Sequence, residues 1–208
     1  MRGKILYRSP AGPGNGFLLA AGFLCLLSVA LSLPAIEYSR GMLAEGTRWE
    51  NPYYVIDSGV AGPVVLITGG MHGNEPAGSR AAEQIVHWKI TRGRVVIAPR
   101  TNTPGLKANT RFMPGVEKPA NNLNRNFPAT GAPDQARSVP GKALWELARK
   151  VRPGWVFDLH EGFDFNIANK GSVGSSVIYL DSPETRKVAA LLIDEVNPTI
   201  TDPKRKFV

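Results

Sequence analysis

The sequence predicts an α/β domain with a mixed, largely parallel sheet flanked by helices. Short apolar runs of strand length recur at residues 64–68 (VVLIT), 94–98 (RVVIA), 155–159 (WVFDL) and 176–180. Segments of helical periodicity lie between or after them, at residues 76–88, 141–151 and 183–196. Strands alternating with helices are the pattern of a sheet whose parallel strands are joined by crossover helices.

The elements follow in order. Residues 16–36 carry no charge and are preceded by Arg2, Lys4 and Arg8. A basic segment before an apolar stretch is the mark of a secretory signal or an uncleaved membrane anchor, and this run is long enough to span a bilayer. Residues 1–36 are therefore expected to act as one or the other. The positive flank would stay inside, so the remainder is expected outside the cytoplasm, secreted or anchored. Residues 37–51 look like a polar connector, and the catalytic domain is expected over residues 52–208. In the helix at 76–88, Ala77, Ala81, Ala82, Ile85 and Val86 form the apolar side. Residues 99–140, rich in Asn, Pro, Gly and Arg, show no clear periodicity, and irregular stretches of this length tend to be functional. Trp145, Trp155 and Phe157 read as core, and His87 as a surface or packing histidine.

Composition narrows the function. The 208 residues carry a formal charge of +8, but three of the cations precede the first acid, Glu37. The remaining basic residues are scattered rather than striped, and nothing resembles a nucleic-acid-binding module. Cys25 is the only cysteine, which excludes an intramolecular disulfide and a thiolate metal site. Any metal site must be built from histidine and carboxylate.

Three short stretches carry such chemistry. His72-Gly73-Asn74-Glu75 follows the VVLIT strand, and a glycine-rich turn lets His72 and Glu75 converge on one cation. Asp158-Leu159-His160-Glu161 ends the WVFDL strand. Ligands in open α/β sheets bind just beyond the carboxyl ends of strands, where both segments would present their histidines. Two imidazoles and one carboxylate leave a fourth zinc position for water, the ligand set of a hydrolytic site. Asp158 is a candidate to accept the outer N–H of a ligating histidine. The third stretch, Asn122-Leu123-Asn124-Arg125-Asn126-Phe127, lies in the long loop, where an Asn-Arg pair can hold a substrate carboxylate.

In this order and strand context, HGNE, NLNRNF and DLHE resemble the zinc carboxypeptidase clan, and within it the succinylglutamate desuccinylase/aspartoacylase branch. The resemblance runs from about Val64 to Glu161. It implies a zinc carboxypeptidase-like fold and Zn2+ held by His72, Glu75 and His160. It further implies Asn124 and Arg125 as binders of a substrate carboxylate, and Arg111 as the arginine that polarises the scissile carbonyl, with Arg100 as a competitor. The expected activity is hydrolysis of an amide bond in a small peptide or an N-acyl amino acid with a free carboxylate. The sequence departs from the family in two places. Asn122 stands where the family commonly has Asp. The family's general base is a glutamate on a late strand, beyond the point at which this chain stops. Glu161 is the nearest substitute, either catalytic or supporting the metal. The expectation is that the sheet lacks its C-terminal strands here. The competing expectation is a non-catalytic, membrane-anchored zinc- or peptide-binding module.

Overall fold

The structure, a computed structural model, describes residues 35–208. Five strands form one mixed sheet: β1 (Glu37–Leu43), β2 (Asn51–Asp57), β3 (Val64–Gly69), β4 (Arg94–Ala98) and β5 (Trp155–Leu159), in the order β1-β2-β4-β3-β5. The β4-β3-β5 side is parallel, whereas β1-β2 and β2-β4 pair antiparallel. Helices α1 (Pro76–Ile85), α2 (Thr103–Ala108), α3 (Val139–Val151) and α4 (Pro183–Val196) complete the domain.

The strand period of two sorts the apolar runs onto two faces. Leu66, Val96 and Ala98 point to one side, where they pack with Leu144 and Leu147 of α3. Ile67 and Ile97 point to the other and pack with Ile56 and with Ala82 of α1. The result is a three-layer arrangement in which β3 and β4 are covered on both faces. Their near-continuous apolar sequences reflect that burial.

Four expectations are corrected. Residues 37–51 are not a connector. They form β1 and the turn into β2, with Glu37 paired to Asp57 and Leu43 to Asn51. The stretch 99–140 is not wholly irregular, since it contains α2 and a 3-10 turn at Leu123–Arg125 and is pinned by buried Met113, Leu123 and Asn126. Residues 176–180 form no strand. No strand ladder reaches them, Ile178 and Leu180 are largely exposed, and their backbone tie is Val177 N–H donating to the Val208 carbonyl. The aromatic cluster is only half-buried. Trp145 donates from Nε1 to Asp134 across 2.8 Å and sits 6.4 Å from Phe127, while Phe157 flanks the α1-side core. His87 is exposed, as expected.

The signal or anchor expected at residues 1–36 lies almost entirely outside the described residues. Among the described residues no helix is long and apolar enough to cross a membrane.

Two glycines bring the functional segments together. A Cβ on Gly73 would lie 1.9 Å from the backbone carbon of Gly105, so the turn carrying His72 can press against α2 only with glycine there. A Cβ on Gly78 would lie 2.1 Å from the Leu159 carbonyl oxygen. Gly78 thus lets the first turn of α1 lie directly on the end of β5, beside His160.

Candidate metal centre at the ends of β3 and β5

Register brings the two histidine motifs side by side. In the parallel β3–β5 pair Thr68 lies opposite Asp158 and Gly69 opposite Leu159, so both strands end at the same level. Glu75 is the N-cap of α1, with Pro76 opening the helix, yet its side chain makes no capping bond. Its carboxylate is directed instead between the two histidines. Oε1 lies 2.8 Å from His72 Nδ1, and Oε2 lies 2.6 Å from His160 Nδ1. One donor atom from each of His72, Glu75 and His160 lies within 4.8 Å of the others, and the imidazole rings are 5.0 Å apart between centroids.

The outer nitrogens face acceptors too. His72 Nε2 lies 3.1 Å from Asn122 Oδ1, and His160 Nε2 lies 2.7 Å from Asp158 Oδ2. Asp158 is steadied by Thr68, whose hydroxyl donates to Oδ1 across 2.7 Å. A neutral imidazole has one N–H, so it cannot serve acceptors at both nitrogens. The hydrogen bond to Asp158, opposed by burial and assisted by the charges of Asp158 and Glu75, pushes the pKa of His160 up to about 9. Burial, against the opposing charge of Glu75, pulls that of His72 below its ordinary value. His72 is therefore the poorer proton acceptor, although it too faces an oxygen on each side. A divalent cation held by His72, Glu75 and His160 would relieve that mismatch, with each ring's proton on its outer nitrogen facing Asn122 or Asp158. The residues present fit a divalent cation, with two nitrogen donors and one oxygen donor and their outer hydrogen bonds already made.

Glu75 is 7% exposed. Burial pushes its carboxyl upward, but the hydrogen bond from His160 and the charges of both histidines outweigh this, and its pKa falls below the usual carboxylate value. It remains an anion. Arg111 also reaches it, donating from Nη1 to Oε1 across 2.6 Å. Arg100, the competing arginine, is turned away and donates to Glu83 on α1 across 2.8 Å.

Asn124 and Arg125 sit on the 3-10 turn. Asn124 Nδ2 approaches His160 Nε2 at 3.5 Å, which places it at the rim of the cluster. Arg125 is exposed, its guanidinium donating to the Asn124 carbonyl across 2.9 Å. Glu161 has a different setting. Its Oε2 accepts from the Ala77 N–H across 2.9 Å, so it supplies the helix cap that Glu75 does not. Sequence reasoning missed Thr68 as the residue holding Asp158. Its place opposite Asp158 in the sheet register is the only signal that could have revealed it.

With the geometry established, comparison places the chain. The catalytic-domain model of the succinylglutamate desuccinylase/aspartoacylase family matches residues 61–165, just over half of the sequence. The chain belongs to this family. It is 38% identical over 116 residues to an N-alpha-acetyl-L-2,4-diaminobutyric acid deacetylase of Halomonas elongata, a match covering 53% of this chain and 32% of that protein. In fold it is similar to an aspartoacylase family protein of Mesorhizobium loti, with a TM-score of 0.55 and 24% identity over 79% of this chain and 51% of that one. It is similar in the same sense to the product-bound cell shape determinant protein Csd4 of Helicobacter pylori, with a TM-score of 0.51 and 18% identity over 84% of this chain and 41% of that one. The chain thus spans from 32% to 51% of the length of these relatives. The family is one of amide-hydrolysing deacylases, and His72, Glu75 and His160 form a cluster that could hold a metal ion.

Proposed function

We propose that this chain carries the metal centre of a zinc-dependent hydrolase that cleaves the amide bond of an N-acyl amino acid or small peptide with a free carboxylate. The convergence of His72 Nδ1, His160 Nδ1 and the Glu75 carboxylate carries this reading. Zinc is the natural occupant of a His2Glu set, where it lowers the pKa of water and polarises a carbonyl. Asn122 and Asp158 hold the ligating rings by their outer nitrogens. Arg111, against Glu75, is placed to donate to the oxygen on which negative charge develops. Asn124 and Arg125 hold the substrate's carboxylate at the rim. Similarity to a deacetylase of an acylated amino acid favours an N-acyl amino acid over a peptide. The setting of Glu161, engaged at the N-terminus of α1, favours the rival reading of a non-catalytic zinc- or peptide-binding module.

The deciding experiment uses protein expressed from its whole reading frame, including anything that follows Val208. Zinc-loaded protein should release amino acid from an N-acetyl amino acid, and far less from the same compound with its carboxylate amidated. Arg125→Lys should bind zinc and melt as wild type, because the side chain is exposed. A lysine keeps the charge but not the planar fork, so catalytic efficiency should fall roughly ten- to a thousandfold. Amidating the substrate should then cost the variant little more. A sharp drop in melting temperature, or undiminished preference for the free carboxylate, would sink the role assigned to Arg125. Absence of hydrolysis across a panel of acyl amino acids would favour the binding module.

We further propose that residues 1–36 export the domain. A reporter fused after Ile36 should be active only outside the cytoplasm. Recovery of the active reporter from the cytosolic fraction would refute export.

A further inference from the structure

Glu75 stands at the start of α1, where an N-cap side chain ordinarily turns back to accept an amide of the helix's first turn. It makes no such bond, because its carboxylate faces the two histidines. Pro76 brings no N–H, so Ala77 carries the first amide that lacks a partner within the helix, and the first turn contains no acidic residue. The partner comes from the end of β5. Glu161 Oε2 accepts the Ala77 N–H across 2.9 Å, although it lies 84 residues further along the chain. Two more contacts join the same segments. The Glu161 backbone N–H donates to Glu75 Oε2 across 3.4 Å, and Gly78 packs on the Leu159 carbonyl at a distance that admits no side chain.

We propose that Glu161 is a positioning residue: by capping α1 in place of Glu75, it ties the end of β5 to that helix and keeps the Glu75 carboxylate turned toward His72 and His160. This rests on the reading of these three residues as zinc ligands. A carboxylate at this end of α1 satisfies the free amide and also meets the positive end of the helix dipole. Without it, the acceptor best placed for the amides of the first turn is the side chain of the N-cap residue itself, which is Glu75. Glu75 would then be drawn back to its own helix and away from the histidines. The cap from Glu161 thus decides between two uses of one carboxylate. It asks of Glu161 only an acceptor oxygen at the right reach, whereas a general base must be able to take up a proton.

The test compares protein expressed from its whole reading frame with Glu161→Ala, Glu161→Gln and Glu75→Ala. Zinc affinity is read by competition with a chelating indicator, and exchange of the Ala77 amide by NMR on metal-free protein. Glu161→Ala should bind zinc about tenfold more weakly, the lower end of what outer partners of metal ligands contribute. Metal-free, it should melt about 2–4 °C lower for loss of the cap, with its Ala77 amide exchanging faster. Glu161→Gln keeps an acceptor oxygen of the same reach. It should restore the amide's protection and most of the zinc affinity, and turn over an N-acetyl amino acid much as wild type does. Unchanged zinc affinity in Glu161→Ala would overturn the proposal. So would a Glu161→Gln variant that holds zinc as wild type but loses turnover by about a hundredfold or more, the mark of a general base. If Glu161→Ala does not fold, Glu161→Asp decides, because its shorter side chain draws the carboxylate back from Ala77. Wild-type zinc affinity in that variant would equally overturn the proposal. Glu75→Ala separates the two levels, since undiminished zinc binding there would mean that the metal site itself is misassigned.

Discussion

Replacing both His72 and His160 with alanine should reduce zinc from about one ion per chain to near none, since Glu75 alone offers a single ligand. Hydrolysis should fall on the order of a thousandfold or more, because the metal contributes several kcal/mol of transition-state stabilisation and each 1.4 kcal/mol is a factor of ten. The same replacement has a stability signature that does not depend on activity. Zinc at a hundred times its dissociation constant stabilises the native state by about 2.7 kcal/mol, which for a domain of this size raises the melting temperature by about 5–10 °C. Wild type should lose that increment when a chelator is added, and the double variant should show none to lose. Zinc content measured after dialysis, alongside melting curves with and without chelator, checks both. Stoichiometry that survives the double replacement would remove His72 and His160 from the metal site.

The central layers of the fold were readable because their sequences report burial on both faces. Within VVLIT and RVVIA, Val64 to Ile67 and Val95 to Ala98 are continuously apolar, since α1 and α3 cover the two sides of β3 and β4. The two histidine motifs were readable as strand ends, and the Thr68–Asp158 register accounts for their meeting. What escaped is equally physical. β1 is an edge strand with most of its side chains exposed, so Glu37, Ser39 and Arg40 give it the composition of a linker. The six residues of α2 are too few to show a period, and it is identifiable only from Asn102, whose side chain accepts from the Gly105 N–H as a cap. The run 176–180 misled in the opposite direction, because apolar β-forming residues do not make a strand where no ladder reaches them. At the site, spacing nominated His72, Glu75 and His160, and the structure brings a donor atom of each within 4.8 Å of the others. The resemblance favoured Arg111 over Arg100, and which guanidinium reaches Glu75 across the long loop is visible only in the structure, where Arg111 pairs with Glu75 and Arg100 with Glu83. Nor could spacing foresee that Glu161 takes over the helix cap that Glu75 gives up to face the histidines.

Arg111 is where the distinction between holding the site and acting in it becomes measurable. Its Nη1 lies 2.6 Å from Glu75 Oε1, but 47% of the side chain is exposed, so the ion pair is screened by solvent and worth little to stability. A preorganised donor aimed at a developing oxyanion is worth much more, on the order of 2.7–4 kcal/mol, or a hundred- to a thousandfold in turnover. Arg111→Ala should therefore keep its zinc, melt close to wild type, and lose kcat by about that factor with KM little changed, since the charge it stabilises appears only in the transition state. Arg100→Ala is the matched control. Its guanidinium is occupied by Glu83, and removing it should leave both zinc content and turnover as they were. Steady-state kinetics and metal analysis on the two variants distinguish the alternatives. Loss of zinc in Arg111→Ala would make the residue a support for Glu75 rather than a donor to substrate, and a larger kinetic loss in Arg100→Ala would transfer the role to Arg100.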